Sequence, residues 1–156
     1  MRHAVRNQVE FQQCSLDELL PDDHETRIVW AYVSGLDVSE LTGRIQAVEG
    51  GPGQAPADPR ILMNLWLYAT LRGVGCAREL NHLCQAHAAY RWICGGVSMN
   101  YHTLSDFRTQ HVDLLDRLLT EGVATLMAEG LVTLDRVAQD GMNADFRGPK
   151  FDDIFA

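Results

Sequence analysis

Long apolar runs are missing from this chain. The most apolar stretch, Ile61 to Leu71, is interrupted by Asn64 and falls well short of the roughly 20 residues a membrane span needs. The opening residues, MRHAVRNQVEFQQCSLDELL, hold no apolar h-region, so neither a signal peptide nor a membrane anchor is expected and the expected location is the cytoplasm. Cysteine is scarce and carries no framework: Cys14, Cys76, Cys84 and Cys94 form no C-x-x-C pair. In a reducing compartment such thiols serve as small buried apolar groups. A zinc site would have to recruit Cys76, His82, Cys84, His87 and Cys94, of which only Cys84 and His87 lie one helical turn apart. Positive charge is also in short supply, with 13 Lys and Arg against 21 Asp and Glu and a net charge of −8. That balance excludes a molecule whose whole surface attracts polyanions.

What remains is a chain of 156 residues with a 46% hydrophobic and 22% charged share, enough for one ordinary domain with a real core. Its few cations are not spread evenly. Between Pro59 and His111 stand Arg60, Arg72, Arg78, Arg91 and Arg108 against Glu79 and Asp106. Five against two makes this stretch locally basic at +3, so the flanks together carry −11. Phosphates respond to charge within about 10 Å at ordinary salt, so a local basic face can act inside an acidic molecule.

The periodicity is helical almost throughout. Ser15-Leu-Asp-Glu18 has the capping-box pattern and opens a short helix stopped by Pro21. Asp23 is the expected cap of a second helix closed by Gly35, and Asp37 with Glu40 that of a third, buried along Leu41, Ile45 and Val48. A glycine and proline loop follows to Ala57. Asp58-Pro59 opens a helix that is apolar nearly all round, which must be covered on most sides and so forms the centre of the core. Arg72-Gly-Val-Gly75 turns the chain into a helix from near Cys76 and a short one over Ala88 to Cys94, broken by Gly95-Gly96. After the loop 97–102, Thr103 and Asp106 are the expected cap of one long helix ending at Gly130. At Leu131 the period shortens through Val132, Leu134 and Val137 to Asp140-Gly141, the pattern of a strand. A strand needs a partner, and no second one is evident. The expected organisation is an acidic helical segment with its loop over 1–57, a helical domain over 58–130 and the start of a sheet domain over 131–156.

Five segments carry a family likeness: P-x-x-L-x-x-L-W-L-Y from Pro59, G-x-G-C-A-R-E-L from Gly73, Y-R-W-I-C-G-G from Tyr90, H-T-L-S-D-F-R from His102 and V-A-Q-D-G ending at Gly141. Together they resemble the N-terminal domain of bacterial insertion-sequence transposases of the InsH type, over about residues 58–141. The resemblance implies a mainly α fold: a helix-turn-helix-like DNA-binding bundle, then a long helix, then the first strand of an incomplete RNase-H-like sheet. It implies double-stranded DNA as the partner, bound at the element's terminal inverted repeats, and a homodimer as a further partner state. It matches Asp140 to the first of three acidic residues that hold two Mg²⁺ in the complete enzyme. One carboxylate cannot hold such a pair. The tail MNADFRGPKFDDIFA departs from the family pattern, so the expectation is a truncated chain with no metal and no strand transfer of its own.

For DNA contact the candidates are Arg72, Arg78, Arg91 and Arg108, with His102, Thr103, Ser105 and Thr109 at the start of the expected long helix. Helix N-termini present free N–H groups to phosphates, and arginine reads guanine in the major groove. Each arginine has a structural alternative, Arg78 in a neighbouring ion pair and Arg108 as a clamp beside the apolar stripe. Trp66, Tyr68, Tyr90 and Trp92 read as core aromatics. The competing function is a helical interaction module or inactive remnant, in which the acidic surface keeps DNA away and the long helix pairs with a second copy.

Overall fold

The computed structural model describes residues 1–48 and 57–132, with the backbone alone for 45–48. Residues 1–14 have no regular structure, and a 3-10 turn follows over Leu16–Leu19. Among the described residues seven α-helices then run in order: α1 Glu25–Ser34, α2 Ser39–Val48, α3 Pro59–Leu71, α4 Ala77–Ala86, α5 Ala88–Cys94, α6 Tyr101–Gln110 and α7 Val112–Ala128. Among the described residues there is no strand. Leu131 and Val132 are described only as chain leaving α7, and the rest of the expected strand, Asp140 included, lies outside the described residues.

α3 is the axis of the molecule, as its all-round apolarity requires. Asp58 Oδ1 accepts the Arg60 N–H at 2.9 Å and Pro59 occupies the first turn, so the helix starts with its orphan donors answered. Every residue from Ile61 to Leu71 is buried. Full burial of one large aliphatic side chain contributes about 1.5–3 kcal/mol, and α3 does this against α1, α5 and α7 at once. α6 joins through Trp66, whose indole N–H donates to the Leu104 carbonyl at 3.2 Å. The helix ends in a paired-bond turn, Gly73 N–H to Thr70 O at 3.2 Å and Val74 N–H to Ala69 O at 2.8 Å. Gly73 sits there at φ 76°, where a side chain would be strained.

Three local expectations are corrected. The cap of α1 is His24, not Asp23: His24 Nδ1 accepts the Thr26 N–H at 3.1 Å. The cap of the helix after the 97–100 loop is Asn100, not Thr103. Asn100 Oδ1 accepts the Thr103 N–H at 2.9 Å, which places Thr103 inside the first turn. The expected single long helix is two. It breaks at His111 (φ −126°, ψ 32°) without glycine or proline. α6 packs on α4 whereas α7 packs on α3, and one straight rod cannot serve both faces. His111 is buried in the seam with its ring edge-on to Phe107, centroids 5.5 Å apart.

Candidate nucleic-acid interface

The arginines of the basic stretch divide into two kinds. Arg72, just past α3, pairs with the Glu25 carboxylate on α1 and lies 5.6 Å from the Tyr68 ring centre. Arg108, on α6, donates from Nη1 to the Gly75 carbonyl at 2.7 Å and lies 4.5 Å from the centre of the Trp66 ring. Both are half-buried ties between helices. A guanidinium suits that role because it can stack on a ring while donating in its own plane.

Arg78, Arg91 and Arg60 are exposed. Arg78, in the first turn of α4, extends over the Tyr101 ring at 5.2 Å, and the Tyr101 and His102 rings lie 4.0 Å apart. The start of α4 and the start of α6 thus bring an arginine, a phenol and an imidazole together at the surface. Thr103 spends its hydroxyl on Asn100 Oδ1 at 3.2 Å, and Thr109 spends its own on the Ser105 carbonyl at 3.0 Å. Ser105 is half-buried. Arg91 lies apart from this group, on α5.

The metal alternative finds no support among the described residues, where no group of three or more His, Cys, Asp or Glu could hold an ion. His87 uses Nδ1 to accept the Ala89 N–H at 3.1 Å, capping α5. Cys84 and Cys94 share a thiol hydrogen bond across the α4–α5 contact, and that bond, with burial, pushes the Cys84 thiol up out of the range of a reactive thiolate. Tyr90 is likewise pushed up, first by burial and then by Tyr68, so it stays a neutral core phenol.

One cluster escaped the sequence reading. Arg27 of α1 donates to Asp17 Oδ1 at 2.7 Å and to the carbonyls of Asp17 at 2.6 Å, Leu20 at 2.7 Å and Pro21 at 2.8 Å. Its guanidinium also lies 5.1 Å from the Trp92 ring centre, while Trp92 donates its indole N–H to Asp17 at 3.2 Å and meets Trp30 edge-on at 5.9 Å. The hydrogen bonds from Arg27 and Trp92 hold the exposed Asp17 carboxyl below its ordinary range. The capping box announced the turn, but nothing nearby in sequence announced the arginine and tryptophan that fix it.

The described residues form a helical body that carries a short basic stretch on an acidic background. The chain belongs to a family of transposase domains, the Transposase domain (DUF772), whose profile matches residues 14–110. The match opens at the turn held by Arg27 and closes on Gln110, the last residue of α6. No curated protein and no solved structure matches the chain. Family membership gives the chain a role in transposition and DNA as its partner in general terms. No helix among the described residues is long and apolar enough to cross a membrane.

Proposed function

We propose that this chain is the DNA-binding portion of an InsH-type transposase and recognises the terminal inverted repeats of its own element. In this reading α4, α5 and α6 act as a helix-turn-helix-like unit. Arg78, Arg91 and His102 meet the duplex, with Thr103 in the first turn of α6, Ser105 in the second and Thr109 near the other end of that helix. Arg72 and Arg108 shape that surface from beneath. Asp140 is the first acidic residue of the catalytic triad in this reading and would hold Mg²⁺ together with two further carboxylates.

The observation that carries the reading is the exposed Arg78, stacked over Tyr101 beside His102, inside a +3 stretch that overlaps the transposase-domain match. An exposed guanidinium held by a ring is pre-ordered, so less side-chain entropy is lost when it meets a phosphate or guanine. A gel-shift titration tests this with the terminal-repeat duplex and a scrambled duplex at two salt concentrations. Tighter binding to the repeat, falling steeply as salt rises, is expected. Equal weak binding to both would leave only non-specific attraction and end the claim of repeat recognition.

A further inference from the structure

Residues 1–14 are exposed without exception and have no regular structure, yet the turn where they join the fold is tied to side chains of two helices, Arg27 of α1 and Trp92 of α5. Four hydrogen bonds from Arg27 and the Trp92 ring fix the chain from Asp17 to Pro21. Ser15 is tied in as well, its N–H donating to Glu18 Oε2 at 3.0 Å. Freedom therefore ends abruptly at a rigid root beside α5, the helix that carries Arg91. Fourteen residues at about 3.3–3.6 Å each can reach almost 50 Å from that root.

The chemistry of the segment differs from that of the body it leaves. Arg2, His3 and Arg6 stand in its outer half, with Asn7, Gln8, Gln12 and Gln13 along it, and Glu10 is its one acid. The next ionisable residues after Cys14 are Asp17, Glu18, Asp22 and Asp23, so the positive charge of this part of the chain is confined to the outer half of the segment. Val5, Val9 and Phe11 stand open to water, Phe11 fully. Arginine, asparagine and glutamine are the side chains that read the width and acceptor pattern of the DNA minor groove, and an apolar wedge such as phenylalanine commonly accompanies them. That groove is about 6 Å wide, suited to an extended chain and too narrow for a helix.

We infer that residues 2–13 form an arm that enters the minor groove of duplex DNA next to the helices, with Arg2 and Arg6 against the phosphates and groove floor and Phe11 as the wedge. This rests on the DNA-binding reading above and adds a second contact, outside the stretch matched to the family. The arm's fixed root keeps it at high local concentration once the helices have docked.

Fluorescence anisotropy with a fluorescein-labelled, A·T-rich 30-base-pair duplex tests the arm in the full chain. Arg2→Ala with Arg6→Ala should lower the slope of log K against log salt by about 1.8, since each lost phosphate contact removes about 0.9. Phe11→Ala should weaken binding with the slope unchanged. Arg44→Ala with Arg117→Ala removes equal charge where both arginines face Glu40, and should leave the slope alone. Netropsin, which fills the minor groove, should bring the unaltered chain down to the affinity of the arm variant and affect that variant little. All these substitutions are at exposed residues, so folding is not at stake. If the unaltered chain binds and the arm variant keeps its slope and its affinity, the arm is refuted while the DNA-binding reading stands. If the unaltered chain binds no duplex, both fall. If the arm variant changes only the sedimentation of the DNA-free protein, the segment joins copies of the chain and the inference is overturned.

Discussion

Arg108 of α6 places its guanidinium 4.5 Å from the centre of the Trp66 ring of α3, and Trp66 in turn donates its indole N–H to the backbone of α6 at Leu104. The two residues lock the helix that starts at the candidate interface onto the most buried helix of the molecule. Arg108→Ala removes a charge-assisted hydrogen bond to Gly75 and the ring contact together, and should cost about 2 kcal/mol. Arg108→Lys should recover little of this, because an ammonium cannot stack and donate in the same geometry. Urea midpoints of the three proteins check both statements.

Arg72 and Arg78 stand only six positions apart in sequence, and their substitutions should behave oppositely. Arg72→Ala leaves Glu25 without its partner in a half-buried setting, so the melting temperature should fall. Arg78→Ala, at an exposed ring contact, should leave stability within about 0.5 kcal/mol while weakening duplex binding several-fold. Thermal melts run beside anisotropy titrations separate the two. If Arg78→Ala binds DNA as the unaltered chain does, the proposed interface is misplaced.

Gly122 allows α7 to close on the core. A Cβ there would lie 3.1 Å from Leu67 Cδ1 and 3.3 Å from Tyr32 Cε1, and Leu67 has no exposed surface into which to retreat. Gly122→Leu should therefore lose about 1–3 kcal/mol to overpacking. Gly43, on α2, has nothing within 4 Å of the same position. Gly43→Ala should gain about 0.5–1 kcal/mol from helix propensity alone. Chemical denaturation of both variants reads the contrast directly.

The seam at His111 should make the fold sensitive to acid. Burial first, and Arg44 second, hold the imidazole's folded pKa below its ordinary value. The unfolded chain takes up the proton near pH 6.5 and the folded one only at lower pH. Stability from this residue is therefore intact above about pH 6.5 and declines as pH falls towards the folded value, by at most about 1.4 kcal/mol per pH unit. His111→Gln should remove that part of the slope in a urea series between pH 7.5 and 5, whatever its effect on absolute stability. An unchanged slope would show that the imidazole does not contribute.

By itself the sequence determined what is settled within a turn or two of chain. It set the start of α3 at Asp58-Pro59, the turn at Gly73, the limits of α5 between His87 and Gly95, the burial of the whole apolar face of α3, and the concentration of positive charge in the middle of the chain. Those features depend on neighbours a few residues apart. Tertiary structure alone decided that Arg72 and Arg108 tie helices together while Arg78 remains at the surface. It also broke the expected long helix at His111, and it joined Arg27, Asp17 and Trp92 into the root of the exposed segment. Arg108 and Gly75 are 33 positions apart, Arg72 and Glu25 are 47 apart, Trp92 and Asp17 are 75 apart, and even Arg27 and Asp17 are 10 apart. Whether an arginine meets a carboxylate, a ring or solvent depends on which helices come face to face, and no local pattern in an amphipathic chain carries that information.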